Sequence, residues 1–295
     1  MLLTVFTPAY NRADLLPRCF ESMKRQTNKE FIWMIIDDGS TDNTRQLVES
    51  WMLEPLDFPL CYIYKENGGL HTAYNEAISH IDTELCVCID SDDFMPDDAV
   101  EKILRFWSQN GSKDVAGIVG LDYALDGKCL GDPLPDQKCV NLIDLMVGKY
   151  PIRNPDRTNV VRTELYKQYA PMPSFPGEKN FNPHYMHLQI SMKYDFLVLN
   201  ENLRFVEYQP GGMTDSILRQ FRNSPNSFAE TRKLYLTFPN TGWKFRFRHS
   251  IHYVSSCIFA KKKHFLVESP AKGLTLAALL PGIALNFYIR FKTRR

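Results

Sequence analysis

Four short clusters in this sequence have residue types and spacing that could do chemistry: Pro8-Ala9-Tyr10-Asn11, Asp37-Asp38-Gly39-Ser40, Asn67-Gly68-Gly69 and Asp90-Ser91-Asp92-Asp93. Asp90, Asp92 and Asp93 are hard oxygen ligands on a turn. Mg²⁺ or Mn²⁺ takes such donors while leaving most of its coordination to water and a substrate phosphate. Strand alternation points Asp90 and Asp92 to one side and Asp93 to the other unless the turn breaks the pleat. One carboxylate would then bind metal while another orients a ribose or structures the loop. Asp37 or Asp38 can accept the imide N–H of a uracil or the hydroxyls of a ribose, and Tyr10 offers a ring for stacking on the base. Gly39, Gly68 and Gly69 let backbone approach a ligand closely. His71 and Lys65 are nearby cations, actual or potential, for a diphosphate. The competing readings are a helix-start cap for His71 and a solvated side chain for Lys65.

Each cluster follows an apolar run of strand length: Leu2 to Thr7, Phe31 to Ile36, Leu60 to Tyr64 and Leu85 to Ile89, with Val115 to Leu121 as a fifth. Between them lie helical patterns. Asp14 is placed to cap a helix with Leu15, Leu16, Cys19, Phe20 and Met23 on one side and Pro17 in its first turn. Thr41 and Asp42 open a helix carrying Leu47, Val48 and Trp51, a third helix spans His71 to His80, and Pro96 and Asp97 start one with Val100, Ile103, Leu104 and Trp107. Strands alternating with helices predict an α/β fold whose parallel sheet is covered on both faces. All four clusters then lie at its carboxyl edge, where open α/β sheets bind ligands. Beyond Asp126-Gly127, a hairpin turn, the pattern predicts a short helix at Leu142 to Val147, mostly loop across the proline-rich stretch from Pro151 to Pro183, a helix from Tyr185 to Met192, a strand from Phe196 to Val206 and helices from about Ser227.

The composition is that of a globular protein: 295 residues, 44% hydrophobic, 23% charged and a net charge of +1, which excludes a disordered or fibrous chain. Seven cysteines without zinc spacing fit a reduced cytosolic protein, with Cys86 and Cys88 on one strand. Only Leu2 to Phe6 is apolar after Met1, so no secretory leader is expected. The charge is unevenly distributed. From Asn240 to Arg295 there are eleven bases and one acid, Glu268, so the tail carries +10 and the remainder −9. The tail is also aromatic and contains an apolar run, Gly273 to Ile289, interrupted by Pro281-Gly282 and Asn286. The run is slightly short of the ~20 residues that span a bilayer. With Lys272 before it and Arg290, Lys292, Arg294 and Arg295 at its end, it suits a pair of interfacial helices on an anionic membrane surface. The alternative is a helix buried on the body. No recognised motif accompanies the charge, so nucleic acid is not an expected partner.

The order of the four clusters, with Thr41-Asp42, Glu66 and Asn75, resembles family 2 glycosyltransferases of the GT-A fold. The resemblance is specific over about the first 125 residues. It is looser to about Thr214, where Glu207-Tyr208 and Gly211-Gly212-Met213-Thr214 look like the close of the catalytic domain in bacterial polysaccharide enzymes. It implies a GT-A catalytic domain over 1–215, with 1–125 as the nucleotide-sugar half and 126–215 as the acceptor half, followed by a basic helical extension over 216–295. It further implies a nucleotide-sugar donor, a divalent metal (Mn²⁺ or Mg²⁺) and inversion at the anomeric carbon. By position, Pro8, Tyr10 and Asp38 would contact the nucleoside with Asp37 supporting. Asp92 and Asp93 would hold the ribose and the metal–diphosphate, and Asp90 begins the motif. Asn11, Gly68, Gly69, His71 and Asn75 complete the expected donor-binding set.

The family's usual acidic pair, which supplies the base, is absent from the matching region, Gly177-Glu178-Lys179-Asn180-Phe181-Asn182-Pro183-His184. Glu178 is the first choice for the base and His184 the second. Against Glu178 stands the reading of a loop acid paired with Lys179. The expected protein is an inverting glycosyltransferase using a UDP-sugar, acting on a lipid-linked or polysaccharide acceptor at the cytoplasmic face of the membrane. A membrane-bound nucleotide-sugar-binding protein without catalysis is the alternative. A nucleotidyltransferase or a dinucleotide oxidoreductase would need a glycine-rich loop after the first strand, and Thr7-Pro8-Ala9-Tyr10-Asn11 lacks it.

Overall fold

The computed structural model describes residues 1–153, 157–207 and 217–294. The apolar runs become β1 (Leu3–Ala9), β2 (Phe31–Asp37), β3 (Leu60–Tyr64), β4 (Leu85–Cys88) and β5 (Val115–Ala124). The helical patterns become α1 (Leu16–Arg25), α2 (Thr44–Trp51), α3 (Leu70–His80) and α4 (Ala99–Asn110). β6 (Cys139–Val140), α5 (Leu142–Met146), β7 (Thr158–Arg162), α6 (Thr163–Tyr169), α7 (His184–Ser191) and β8 (Asp195–Val206) follow.

The eight strands form one sheet in the order β3-β2-β1-β4-β7-β5-β8-β6. β3, β2, β1 and β4 run parallel, and their register sets Ala9 beside Asp37, Asp37 beside Tyr64 and Phe6 beside Cys88. The three strands that precede the carboxylate clusters and Tyr10 therefore end together. β1 lies between β2 and β4, so the chain crosses to opposite sides of it, the switch point at which α/β sheets open a crevice. Leu3 and Val5 of β1 join one core with Leu16, Cys19, Phe20 and Met23 of α1, Val48 and Trp51 of α2 and Val100, Ile103 and Trp107 of α4. Phe6 faces the other way and meets Tyr74 of α3 edge-on at 4.9 Å. The sheet is thus covered on both faces, as continuous apolar strands require.

One expectation is refined and one corrected. The proline-rich stretch is mostly loop among its described residues, but its proline-free part, Arg157 to Ala170, holds β7 and α6, and β7 inserts antiparallel between β4 and β5. Asp14 does not cap α1, whose N-cap residue is Leu15 without a side-chain hydrogen bond; its start is set by Pro17 and the Leu16 N–H to Arg12 O bond.

The chain divides into two units, Met1–Pro171 with Met186–Tyr208, and Met172–Tyr185 with Gln209–Arg295. In the second unit the described helices are α8 (Ile217–Asn223), α9 (Pro225–Thr237), α10 (Trp243–Phe259), α11 (Phe265–Glu268), α12 (Lys272–Ala277) and α13 (Leu279–Lys292). Ala229, Leu236, Tyr253, Cys257 and Ala271 form its core. Pro281 falls in the first turn of α13, where its missing N–H costs no helical bond. Among the described residues no helix is long and apolar enough to cross a membrane.

Candidate active site

The carboxyl ends of β1 and β2 are fastened to each other by their own loops. Asp38 N–H donates to Ala9 O at 2.8 Å, Asn11 N–H to Ser40 Oγ at 2.9 Å and Thr41 N–H to Asn11 Oδ1 at 2.8 Å. Asn11 takes a positive φ of 52° to make these bonds. Its side chain is thus occupied in joining the loops, leaving Tyr10, 47% exposed, as the group this turn presents to a ligand.

Asp37 and Asp38 are both buried. Asp37 accepts from Ser40 N–H at 2.7 Å and from the Tyr62 hydroxyl at 2.6 Å; burial and this hydrogen bond push the Tyr62 phenol upward, so it stays the donor. Asp38 accepts from Lys65 Nζ at 2.6 Å, Gly68 N–H at 3.0 Å, Gly69 N–H at 2.7 Å and Asn67 Nδ2 at 3.2 Å. Its carboxylate is the post around which the glycine loop turns. A Cβ on Gly39, whose φ is 79°, would meet Asn67 N at 2.7 Å, so that position needs glycine on both counts. Lys65 is no solvated side chain: its Nζ is shared among Asp38, Glu66 O and Thr72 Oγ1. His71 is almost wholly buried in the first turn of α3, and Asn75, one turn on, is partly buried.

The acidic motif breaks the pleat. Asp93 N–H donates to Asp90 O at 3.0 Å, and this turn brings Asp90 and Asp93 to one partner, Arg204 of β8, at 3.5 and 3.3 Å, while Asp92 faces Arg12 at 3.9 Å. The alternation expected from the sequence, with Asp90 and Asp92 together, is therefore replaced. Arg204 also bonds Asp122 of β5, which accepts from Thr158 of β7. Burial pushes the Asp93 carboxyl up to about 8, against Arg204, with Asp90, Asp92 and Asp122 adding to the rise. Arg18 braces the same turn from outside, donating to Asp92 O and to Glu207. Tyr208 and Gly211 to Thr214 lie outside the described residues.

The family model "Glycosyl transferase family 2" matches residues 4–127. This segment is a family 2 glycosyltransferase domain. Among curated relatives, glycosyltransferase GlyG of Streptococcus pneumoniae is 31% identical over 126 residues, 42% of this chain and 40% of its own length. The TuaG glycosyltransferase of Bacillus subtilis, described as a teichuronic acid biosynthesis enzyme, is 33% identical over 106 residues, 36% of this chain and 41% of its own. The chain thus matches about two-fifths of either relative. Among solved structures, S. aureus TarS 1-349 in complex with UDP-GlcNAc superposes with a TM-score of 0.63 at 16% identity, covering 100% of this chain and 92% of that one. A mannosyltransferase from Pyrobaculum calidifontis in complex with GDP-Man and Mn²⁺ gives 0.57 at 19% identity, covering 99% and 83%. These likenesses show the fold, which is GT-A.

Within the glycosyltransferase domain the donor set for a divalent metal can be tested against the residues. Among the described residues no three His, Cys, Asp or Glu side chains gather into a cage. A Mg²⁺ or Mn²⁺ that arrives on a diphosphate needs only one or two carboxylates. Asp92, partly exposed and 3.9 Å from the Arg12 guanidinium, fits that part. Asp93, 5% exposed and set against Arg204, is turned to the protein instead.

Arg204, Arg12 and Arg18 were not singled out by the sequence. The available signal was Arg204 itself, a charge between Leu203 and Phe205 in a strand-forming run. In the second unit, Glu178 is buried and accepts four hydrogen bonds of 2.7–2.8 Å, from the N–H and Nδ2 of Asn226 and the N–H and Oγ of Ser227. It satisfies the otherwise orphaned donors at the start of α9, and its lone-pair positions are filled. Its partners are these, not a simple pair with Lys179. His184 opens α7, partly buried, with its N–H on Asn182 Oδ1 at 2.8 Å.

Proposed function

We propose that the protein transfers a sugar, with inversion at the anomeric carbon, from a UDP-sugar to a glycan or lipid-linked acceptor in cell-surface glycan synthesis. The observation that carries this reading is the common ending of β2, β1 and β4, which sets the Asp37-Asp38 loop, Tyr10 and the Asp90–Asp93 turn along one edge. The family match supports sugar transfer. The relative described as a teichuronic acid biosynthesis enzyme supports a glycan acceptor, and the UDP-GlcNAc complex of a protein with this fold supports the donor.

Tyr10 stacks on the base, with Pro8 beside it. Because the lone pairs of Asp38 are engaged, its part is to hold Gly68 and Gly69 in place for close backbone approach, with Asp37 fixing the turn above it. Asp92 would hold Mn²⁺ or Mg²⁺, and Asp90 and Asp93 shape its turn through Arg204. When bound, the metal supplies positive charge against the leaving diphosphate. Removing the acceptor hydroxyl's proton needs a base. The oxygens of Glu178 are filled by the start of α9, which passes that part to the second candidate, His184. The reaction is assigned to the inner face of the cell membrane, where the basic C-terminal unit would be its attachment. A nucleotide-sugar-binding protein without transfer is the second reading, favoured by the same engagement of Glu178.

UDP-, GDP- and TDP-sugars assayed for metal-stimulated hydrolysis, then for transfer in the presence of membrane extract, test the proposal. Metal-stimulated release of UDP is expected. Binding without turnover under any condition favours the second reading, and no binding of any donor refutes both.

A further inference from the structure

Helix α13 is inside out. The residues it turns inward are mostly small or polar. Gly282 lies so close to α10 that a Cβ would meet Val254 Cγ1 at 2.5 Å, and buried Asn286 donates from Nδ2 to Ser255 O at 3.1 Å. Its large apolar side chains face solvent instead: Leu280 is 80% exposed, Phe287 68% and Phe291 70%. With Leu276 of α12 and Ile283 they recur every three or four residues, which lines them along one face. A contiguous exposed apolar stripe of this kind marks a surface that meets something else.

The charge around the stripe says what. Lys272, Arg290, Lys292 and Arg294 flank it, and no acid occurs from Ser269 to Arg294. Arg290 is aimed by its neighbours: its Nε donates to Asn286 Oδ1 at 2.8 Å and its guanidinium stacks 4.9 Å from the Phe259 ring. With Phe287, Phe291, Arg294 and Ile258 it lines a groove of about 640 Å³ between α10 and α13. A second copy would bring the same cations to the same face and repel it. A surface with apolar depth and a negative rim complements both features. We propose that the α12–α13 face docks on an anionic phospholipid bilayer, Leu280, Phe287 and Phe291 entering the acyl boundary while Arg290, Lys292 and Arg294 engage headgroup phosphates. The inference rests on the membrane-surface part of the proposed function and gives it a face; it does not depend on the donor chemistry.

Flotation of the full chain with phosphatidylcholine vesicles, with and without phosphatidylglycerol, tests it. The chain is expected to float with the anionic vesicles. Binding should weaken at least about tenfold in Phe287→Ser/Phe291→Ser and in Lys292→Glu/Arg294→Glu, with melting temperature and donor hydrolysis in solution unchanged. Absence of flotation, or flotation that both double variants leave intact, overturns the proposal. So does a dimer in solution that Phe287→Ser/Phe291→Ser dissociates, since the face would then belong to a second copy. Loss of donor hydrolysis has no bearing on flotation, so the two readings fail separately.

Discussion

Asp38 and Glu178 illustrate how a carboxylate's neighbours decide its task. Both are buried, and both accept several hydrogen bonds from backbone N–H groups that would otherwise have no partner. Asp38→Asn replaces one acceptor oxygen with a donor that opposes Gly68, Gly69 or Lys65, and about 2–4 kcal/mol of stability should be lost. Calorimetry would read the loss as a lower melting temperature, and donor KM should rise with it as the glycine loop loosens. For the base, two substitutions separate structure from chemistry. Glu178→Gln should cost about 1–3 kcal/mol by leaving the start of α9 short of acceptors, while kcat per folded molecule survives. His184→Gln should leave donor hydrolysis intact and reduce transfer by about 10²-fold or more, the usual worth of a general base. Transfer assays on folded fractions would show the reverse pattern if Glu178 takes the proton.

The C-terminal helices have a pH dependence of their own. Burial, reinforced by Arg232 of α9 and Arg248 of α10, lowers His249 from 6.5 to about 3 and His252 to about 4. Both rings stay neutral in the folded state and take up protons only on unfolding. The unfolded chain therefore binds more protons between about pH 4 and 6.5, and stability present above that window is lost as the pH falls through it. Each histidine should cost about 2 kcal/mol at pH 5. Chemical unfolding from pH 7 to pH 5 would show it, and His249→Phe should flatten the profile; an unchanged slope would mean that the ring is already solvated. At this scale the sequence was legible wherever a pattern is local. β1 to β4 and α1 to α4 follow from apolar runs and helical spacing, whereas the apolar run of the tail breaks at Ala278, with Pro281-Gly282 inside the start of α13. What was not legible is long-range. The insertion of β7 between β4 and β5 leaves no mark in Thr158-Asn159-Val160-Val161-Arg162, and only the folded sheet sets Arg204 against Asp90, Asp93 and Asp122. The same limit applied to Glu178, whose partners Asn226 and Ser227 are remote in the chain.

At the scale of the molecule, a glycosyltransferase domain whose family match ends at residue 127 is followed by further sheet and helix within a chain that shares the GT-A fold. The proposed donor edge draws on both halves of the sheet in the first unit, because Arg204 of β8 steadies the turn that β4 supplies. A substitution such as Arg204→Met would leave three carboxylates without their common counter-charge. It should destabilise the fold by about 3–5 kcal/mol and weaken donor binding without touching the donor, readable by thermal unfolding beside nucleotide titration. The most direct test of the account is a calorimetric titration of the full chain with UDP, GDP and TDP, in Mn²⁺ and in chelator, repeated on Asp92→Ala. Saturable UDP binding that weakens at least about tenfold without Mn²⁺, and equally in Asp92→Ala with Mn²⁺ present, is the predicted result. Binding of none of the three nucleotides, or UDP affinity indifferent to both the metal and Asp92, would contradict it.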